Sequence, residues 1–522
     1  MKTLSSAIGC ACCPLNRRNF IAKTGTATLG ALGMMSSASW LQAAGPTEKT
    51  RIRILCSLHT EKQDRPDWPN KGFDFKPPMD RITNELTRRC KNFEFLTSQA
   101  AGEAQAKKII EEDKTTGGVD GYVVCQMNCW NQVVQTVATT GKPVLYADFQ
   151  FGGSGGFLVY NAAFLRSQSP NVAFVASSRV QDLASAVKCF PVAKTSGSAL
   201  NFVNAVSKTR LDATPRAGKL LAKNDPVNCL STQDCIARLK ETRILAIQGE
   251  EAGAAGEVAG INIENVPFSE LNEAWKNADK DEARAVADTW QKTARRIEGV
   301  SRATLESSAA MYLAEKQLLK KHAAMGITVN CLGGFYGGHI HAYPCLGFHQ
   351  LNNEGLIGGC ECDVRSAATM VIGTILTRGR PGYISDPVID TAKRQIIYAH
   401  CVAANKAFGP NGTANPFEIL THSEDRQGAS VRSLLPVGYM TTTLEFEQSR
   451  KEILFHRGLA VANDPDDRAC RTKLCAEPVG DFEKLFRMWD QWGWHRVTFY
   501  GDLKDPVYAL ADALGWKVVE EA

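Results

Sequence analysis

From residue 51 onward, short runs of β-branched and aromatic residues alternate with longer stretches of helical period, and this alternation narrows the possible folds more than any other feature of the chain. A strand that leads through a helix to a second strand of the same sheet sets the two strands parallel, because the helix must lie back across a sheet face. Strands are expected at residues 52–58, 93–97, 121–125, 143–148 and 172–177, with helices at 78–89 and 103–113. These define a first α/β domain over residues 50–200. A second α/β domain, residues 240–378, opens on a strand at 243–249 and continues through helical stretches at 281–297 and 303–325, the latter stopped by Gly326. Strands at 327–332 and 356–360, with a glycine-rich loop between them, and a helix at 364–377 complete it. Beyond Pro381 the pattern changes to shorter strands and turns, so residues 380–522 read as a β-rich domain ending in a strand–helix–strand tail. The fold class is α/β: two parallel-sheet domains followed by a C-terminal β-rich domain.

Chemistry concentrates in the stretch Glu354-Gly355-Leu356-Ile357-Gly358-Gly359-Cys360-Glu361-Cys362-Asp363, which runs straight into a helix with one apolar side. Glu361 and Asp363 stand two residues apart at the end of a buried strand. Side chains at that spacing share a face of a strand, and the carboxyl edge of an open α/β sheet is where ligands bind. One reading makes the pair half of a divalent-metal site. The other has Asp363 cap the helix while Glu361 pairs with Arg365 or a distant lysine. His339 and His341 form an H-x-H pair able to chelate, although loop histidines more often make simple hydrogen bonds. His400 and His422 each precede a polar loop and are candidates to reach a substrate hydroxyl. In Trp492-Gly493-Trp494-His495, the aromatic face of Trp494 suits the apolar side of a sugar ring and His495 offers an imidazole to a metal, with a plain core role as the alternative.

Several classes are disfavoured. There is no G-x-S-x-G elbow and no P-loop lysine, and Gly152-Gly153-Ser154-Gly155-Gly156 has neither nucleotide-binding spacing nor an evident helix start after it. A formal charge of +5 over 522 residues is too small to argue for nucleic acid. At the other end of the chain, Asn16-Arg17-Arg18-Asn19-Phe20-Ile21 precedes a weakly apolar stretch, the layout of a twin-arginine signal peptide over residues 1–44 with cleavage near Ala43 or Ala44. The expectation is export to the periplasm through the twin-arginine machinery, a route that carries proteins already folded and often already loaded with a cofactor. In an oxidising compartment some cysteines pair, and Cys229 with Cys235 and Cys470 with Cys475 are expected as surface-loop disulfides, whereas Cys125, Cys129, Cys360 and Cys362 are expected as buried thiols.

Together the motifs resemble those of the L-fucose/L-arabinose isomerase family. The likeness is carried by Pro344-Cys345-Leu346-Gly347 leading to Cys360-Glu361-Cys362-Asp363, by Thr377-Arg378-Gly379-Arg380-Pro381-Gly382, by the His400 and His422 segments, and by Val497-Thr498-Phe499-Tyr500-Gly501-Asp502. The resemblance implies two Rossmann-like domains and a β-rich third, and a Mn²⁺-dependent aldose–ketose isomerase acting on a small sugar through an enediolate. A metal holds two adjacent oxygens of the open-chain sugar while a carboxylate moves a proton between two carbons. The family's metal aspartate falls on Asp363 and its metal histidine on His495; with Glu361 as a third metal ligand, Glu361 and Asp363 are the expected catalytic carboxylates. Residues 327–353 contain no Asp or Glu where the family has a metal-binding, proton-transferring carboxylate, so either Glu361 substitutes for it or His339 or His341 completes the metal site. The resemblance further implies a homo-oligomer in which a neighbour's first domain covers the site, and the segment Gln126-Met127-Asn128-Cys129-Trp130-Asn131 carries groups suited to such a cover and to substrate contact at Asn128 and Trp130; a plain helix start is the alternative. Competing functions on the same scaffold are a non-catalytic sugar-binding protein and a metal-dependent epimerase or lyase.

Overall fold

The computed structural model describes residues 49–522; residues 1–44, expected as a signal peptide, lie outside the described residues. Five parallel strands build the first sheet, in the order Phe93–Ala100, Thr50–Ser57, Gly121–Gln126, Val144–Asp148, Val172–Val175. The central strand Gly121–Gln126 is buried along its whole length, as a parallel strand covered on both faces by helices must be. A second five-stranded sheet runs Ile357–Cys360, Gly326–Val329, Arg243–Ile247, Ile261–Asn265, Gly253–Val258, parallel except for the last, an antiparallel edge.

The third region is a closed barrel. Met440–Glu447, Arg496–Tyr500, Tyr383–Asp390, Gln395–His400, Thr472–Pro478 and Glu452–Asn463 pair antiparallel in that order, and the last pairs back onto the first. Closure leaves no free edge within the ring. A final strand, Lys517–Glu520, lies parallel along Glu452–Asn463. A small sheet of Ser430–Ser433, Phe417–Leu420 and Arg296–Glu298 links the barrel to the second α/β region.

Three local expectations are corrected. The glycine run at 152–156 does lead into a helix, Ser154–Arg166. The stretch expected as a glycine-rich loop between two strands contains two helices, Cys331–Tyr336 and Cys345–Asn353, the first capped by the Asn330 side chain accepting from Gly333 N–H. Gly326 does not stop the long helix, which ends at Lys321; it opens a strand in which a Cβ would press against Ile244, Ile357 and Val371.

The two expected disulfides are also absent: Cys229, Cys235, Cys470 and Cys475 are all free thiols. Turn-forming neighbours suggested exposure, but Cys235 lies on the buried side of the helix Thr232–Lys240 and Cys475 sits inside the barrel strand Thr472–Pro478. Burial raises the thiol pKa, to about 11 at Cys235 and about 12 at Cys475, which suppresses the reactive thiolate. The native protein is therefore expected to react with a thiol reagent only at the partly exposed Cys189, Cys229 and Cys362 of its fourteen described thiols. Rapid labelling of Cys125, Cys235 or Cys475, read by peptide mass, would contradict this burial. Among the described residues no helix is long and apolar enough to cross a membrane.

Candidate metal centre

At the carboxyl end of Ile357–Cys360 the chain does not stay extended. Glu361 and Cys362 both take left-handed backbone angles, φ 61 and 50, and Cys362 N–H donates to Val329 C=O at 2.9 Å. Two consecutive non-glycine residues in this region cost about 1–2 kcal/mol each, so the surrounding packing has to enforce the turn. The turn breaks the two-residue periodicity on which a shared face depends. Glu361 and Asp363 consequently diverge. Asp363 becomes the N-cap of Val364–Leu376, accepting from Ser366 N–H at 3.0 Å and Ser366 Oγ–H at 2.8 Å. Arg365 does not pair with Glu361; it donates to Glu445 and Glu447.

Glu361 instead meets three side chains from the barrel. Asp386 lies in Tyr383–Asp390, opposite Ala399 and thus beside His400 on the neighbouring strand, and His495 immediately precedes Arg496–Tyr500. One ligand atom from each of Glu361, Asp386, His400 and His495 lies within 4.8 Å of all the others. His495 Nε2 is 3.1 Å from Asp386 Oδ1 and 3.5 Å from Glu361 Oε2; His400 Nε2 is 3.8 Å from Asp386 Oδ2 and 3.9 Å from Glu361 Oε1. Asp386 Oδ1, His400 Nε2 and His495 Nε2 are buried with no hydrogen-bond partner. Buried polar atoms are nearly always satisfied, so three partnerless atoms converging on one point form a place able to hold a further group.

The far nitrogens define what each imidazole offers. His495 Nδ1 lies 2.9 Å from Asp363 Oδ2, which can only accept, so Nδ1 carries the proton and Nε2 alone faces the centre. This carboxylate–imidazole arrangement orients a metal-ligating histidine. His400 is the reverse: Cys401 N–H donates to its Nδ1 at 2.9 Å, placing the neutral ring's proton on Nε2. His400 thus presents an N–H to the centre. Burial alone would lower the pKa of His495, but Asp386, Asp363 and Glu361 outweigh it and hold the ring well above the usual histidine range. Burial raises Glu361, with Asp386 adding to the rise against the opposing charge of His495. Asp363 is held well below the usual carboxylate range, because its bond to His495 overcomes the cost of burial. A crowd of carboxylates around one imidazole is the charge pattern a divalent cation would complete.

Two oxygens from carboxylates and one imidazole nitrogen fit a hard divalent ion such as Mn²⁺. Of the expected site residues, Glu361, His400 and His495 come together, and Asp363 stands directly behind His495. Asp386 was missed; an isolated carboxylate inside the apolar run Tyr383-Ile384-Ser385-Asp386-Pro387-Val388-Ile389 was the available signal. His422 is buried nearby but outside the convergent group, stacked on Tyr343 with ring centroids 5.1 Å apart. His339 stacks on Phe268 and His341 lies against Trp275, so neither serves as a stand-in. Trp494 is half-buried between Trp68 and Trp130, at 6.1 and 6.4 Å. Asn128 is wholly buried and Trp130 is 56% exposed.

No family model matches the chain. A curated sulfoquinovose isomerase from Clostridium sp. (strain MSTE9) is 25% identical over 264 residues, covering 49% of this chain and 57% of that protein. Sulfoquinovose isomerases from Priestia aryabhattai and Alkalicoccus urumqiensis are 24% and 21% identical over 152 and 156 residues, covering 28% and 30% of this chain. The chain thus spans at most 57% of the length of these relatives.

Proposed function

We propose that the protein is a metal-dependent aldose–ketose isomerase of the fucose/arabinose isomerase-like group acting on a small sugar. The observation that carries this reading is the convergence of Glu361 with the partnerless atoms of Asp386, His400 and His495; the isomerase relatives support it. Glu361, Asp386 and His495 would hold the cation, probing experiments starting with Mn²⁺. When bound, such an ion supplies a Lewis acid to two adjacent oxygens of an open-chain sugar. The carboxylate of Asp386 substitutes for the one missing from residues 327–353 and, with Glu361, would take a proton from one sugar carbon and return it to the next. His400, through Nε2–H, donates to a sugar oxygen, and the Asp363–His495 bond keeps the imidazole aimed inward.

The test is turnover of an aldose and ketose panel by metal-stripped protein with and without Mn²⁺. In D₂O, isomerisation leaves one solvent deuterium on the product's carbon and interconverts aldehyde and ketone. A changed carbon skeleton would identify a lyase, retention of the aldehyde with inverted stereochemistry an epimerase, and sugar binding without turnover a binding protein. Asp363→Asn keeps a good N-cap while weakening the grip on His495. It is expected to lower metal affinity about 10–100-fold, read by competition with a chelating dye; unchanged affinity would remove Asp363 from the centre. Export by the twin-arginine pathway is inferred from Arg17 and Arg18, and an intact N-terminal mass in protein recovered from the periplasm would refute cleavage near Ala44.

A further inference from the structure

Behind Asp363 the hydrogen bonds continue into the barrel. Ser366, the third residue of the helix Val364–Leu376, has no exposed surface. Its Oγ lies 2.8 Å from Asp363 Oδ2 on one side, and 3.2 and 3.3 Å from the two carboxyl oxygens of Glu445 on the other. Glu445 reaches it from the barrel strand Met440–Glu447, which is tied to the same helix one turn further on, where Phe446 N–H donates to Thr369 Oγ1 at 2.9 Å. Glu445 is also wholly buried. The serine hydroxyl therefore stands between two carboxyl groups with a single proton to give.

Asp363 has the stronger claim on that proton. Its Oδ2 also takes the Nδ1–H of His495 at 2.9 Å and its Oδ1 the Ser366 N–H at 3.0 Å, bonds that suit an ionised carboxylate. With the Ser366 proton on Asp363, an ionised Glu445 would set its lone pairs against those of the serine oxygen in a buried place. A proton on Glu445 Oε2 turns that repulsion into a bond to Ser366 Oγ and leaves Oε1 to accept from Arg365 Nε–H at 3.1 Å. The neighbouring cations are engaged elsewhere: Arg365 also donates to Glu447 at 3.2 Å and to Trp492 C=O at 2.6 Å, and Arg496 is bound to Glu521 at 2.7 Å. Burial pushes Glu445 up to about 8, with the charge of Asp363 adding to the rise against Arg365, Arg496 and His495.

Resting on the metal-centre reading, we propose that Glu445 serves the centre as a buried carboxylic acid: its proton, given to Ser366, directs the serine hydroxyl onto Asp363, and Glu445 and Ser366 act as positioning residues for His495. The line runs from Glu445 O–H to Ser366 Oγ, from Ser366 O–H to Asp363 Oδ2, and from His495 Nδ1–H to the same oxygen, so that Nε2 faces the centre. Without the Glu445 donor the hydroxyl has two acceptors to choose between, and Asp363 loses its claim on one of the bonds that fix it.

Metal-stripped protein is titrated with Mn²⁺ against a chelating dye. Ser366→Ala is expected to bind Mn²⁺ about 10–100-fold more weakly than wild type, the scale of losing a group that orients a metal ligand. Glu445→Gln offers an amide N–H to Ser366 and a C=O to Arg365, and is expected to keep the wild-type affinity. Glu445→Met, of similar size without a donor, should fall to the level of Ser366→Ala. A Glu445→Gln affinity as low as that of Glu445→Met would show that a carboxylate charge is needed there and overturn the proposal, as would wild-type affinity in Ser366→Ala. The proton itself is read without metal, in the infrared difference between wild type and Glu445→Gln at neutral pH. A carboxylic-acid C=O stretch present in wild type and missing from the variant is expected; a carboxylate band in its place would overturn the assignment. If wild type takes up no Mn²⁺, the metal-centre reading has failed on its own, and the infrared band still decides the state of Glu445.

Discussion

Asp386→Asn is expected to lower kcat by about 10³-fold, the scale associated with a group that transfers protons in the transition state. The substitution preserves shape and barrel register, since Asp386 pairs with Ala399 through its backbone. It removes one negative charge from a centre in which His495 Nε2 stands 3.1 Å from Asp386 Oδ1. Both proposed contributions fail together, because the amide is a poor ligand and accepts no proton. Metal affinity should therefore fall alongside kcat, and excess Mn²⁺ should restore occupancy without restoring rate. Glu361→Gln is expected to behave similarly, whereas His422→Ala, outside the convergent group, should cost far less. Retention of a tenth or more of wild-type kcat at saturating Mn²⁺ by Asp386→Asn would remove this residue from catalysis.

The largest effect on stability is expected one residue along from His495, where Glu521→Ala strips Arg496 of its carboxylate. Glu521 and Arg496 are both fully buried, joined by Arg496 Nη2–H to Glu521 Oε1 at 2.7 Å. Glu521 Oε2 also lies 2.9 Å from His456 Nδ1, and His456 Nε2 bonds Tyr398 O–H at 2.6 Å. The guanidinium stacks 3.9 Å over Trp489. Truncating one partner of such a pair leaves an unpaired buried cation, at a cost of about 3–5 kcal/mol. Urea unfolding followed by tryptophan fluorescence measures it, and a loss below about 1 kcal/mol would contradict burial of the charge. Acid should reproduce part of the effect. Burial would raise the Glu521 pKa, but Arg496 and His456 outweigh it and push it down to about 2. A depressed carboxylate stabilises fully above its unfolded value near 4.3. Its contribution is lost as pH falls through about 4 toward 2, and it vanishes in Glu521→Gln.

Much of the fold was legible because its signals are local. The strand at Gly121–Gln126 and the helix at Val364–Leu376 declare themselves in apolar runs and spacing that survive into the structure with shifts of a residue or so. The centre was legible only in part, because it is built from three barrel strands and one sheet edge that only tertiary pairing brings together. His495 and Glu361 stood out by residue type and position. Asp386 did not, since nothing near it in sequence shows that its strand pairs with both Gln395–His400 and Arg496–Tyr500. That Asp363 backs His495 and caps a helix while Glu361 enters the cluster was hidden for a backbone reason, the left-handed turn at Glu361 and Cys362, which no residue type there advertises. The disulfides were misread because polar neighbours conceal which side of a strand or helix a cysteine occupies.

The order in which the barrel strands occur along the chain has a consequence for the ion. Glu361 emerges from the ribosome with the second sheet, whereas His495 follows only after most of the barrel has been made. At translation rates of about 5–20 residues per second, roughly 7 to 27 seconds separate the two. During that interval no cage exists, and the ring cannot close until Arg496–Tyr500 has found its partners on both sides. On the metal-centre reading proposed above, capture of an ion would be a late event in the life of each polypeptide. The ion that is taken up reports the conditions around the finished chain rather than around the nascent one, so shifting the supply of divalent ions after synthesis has been halted should still decide which ion newly made protein carries.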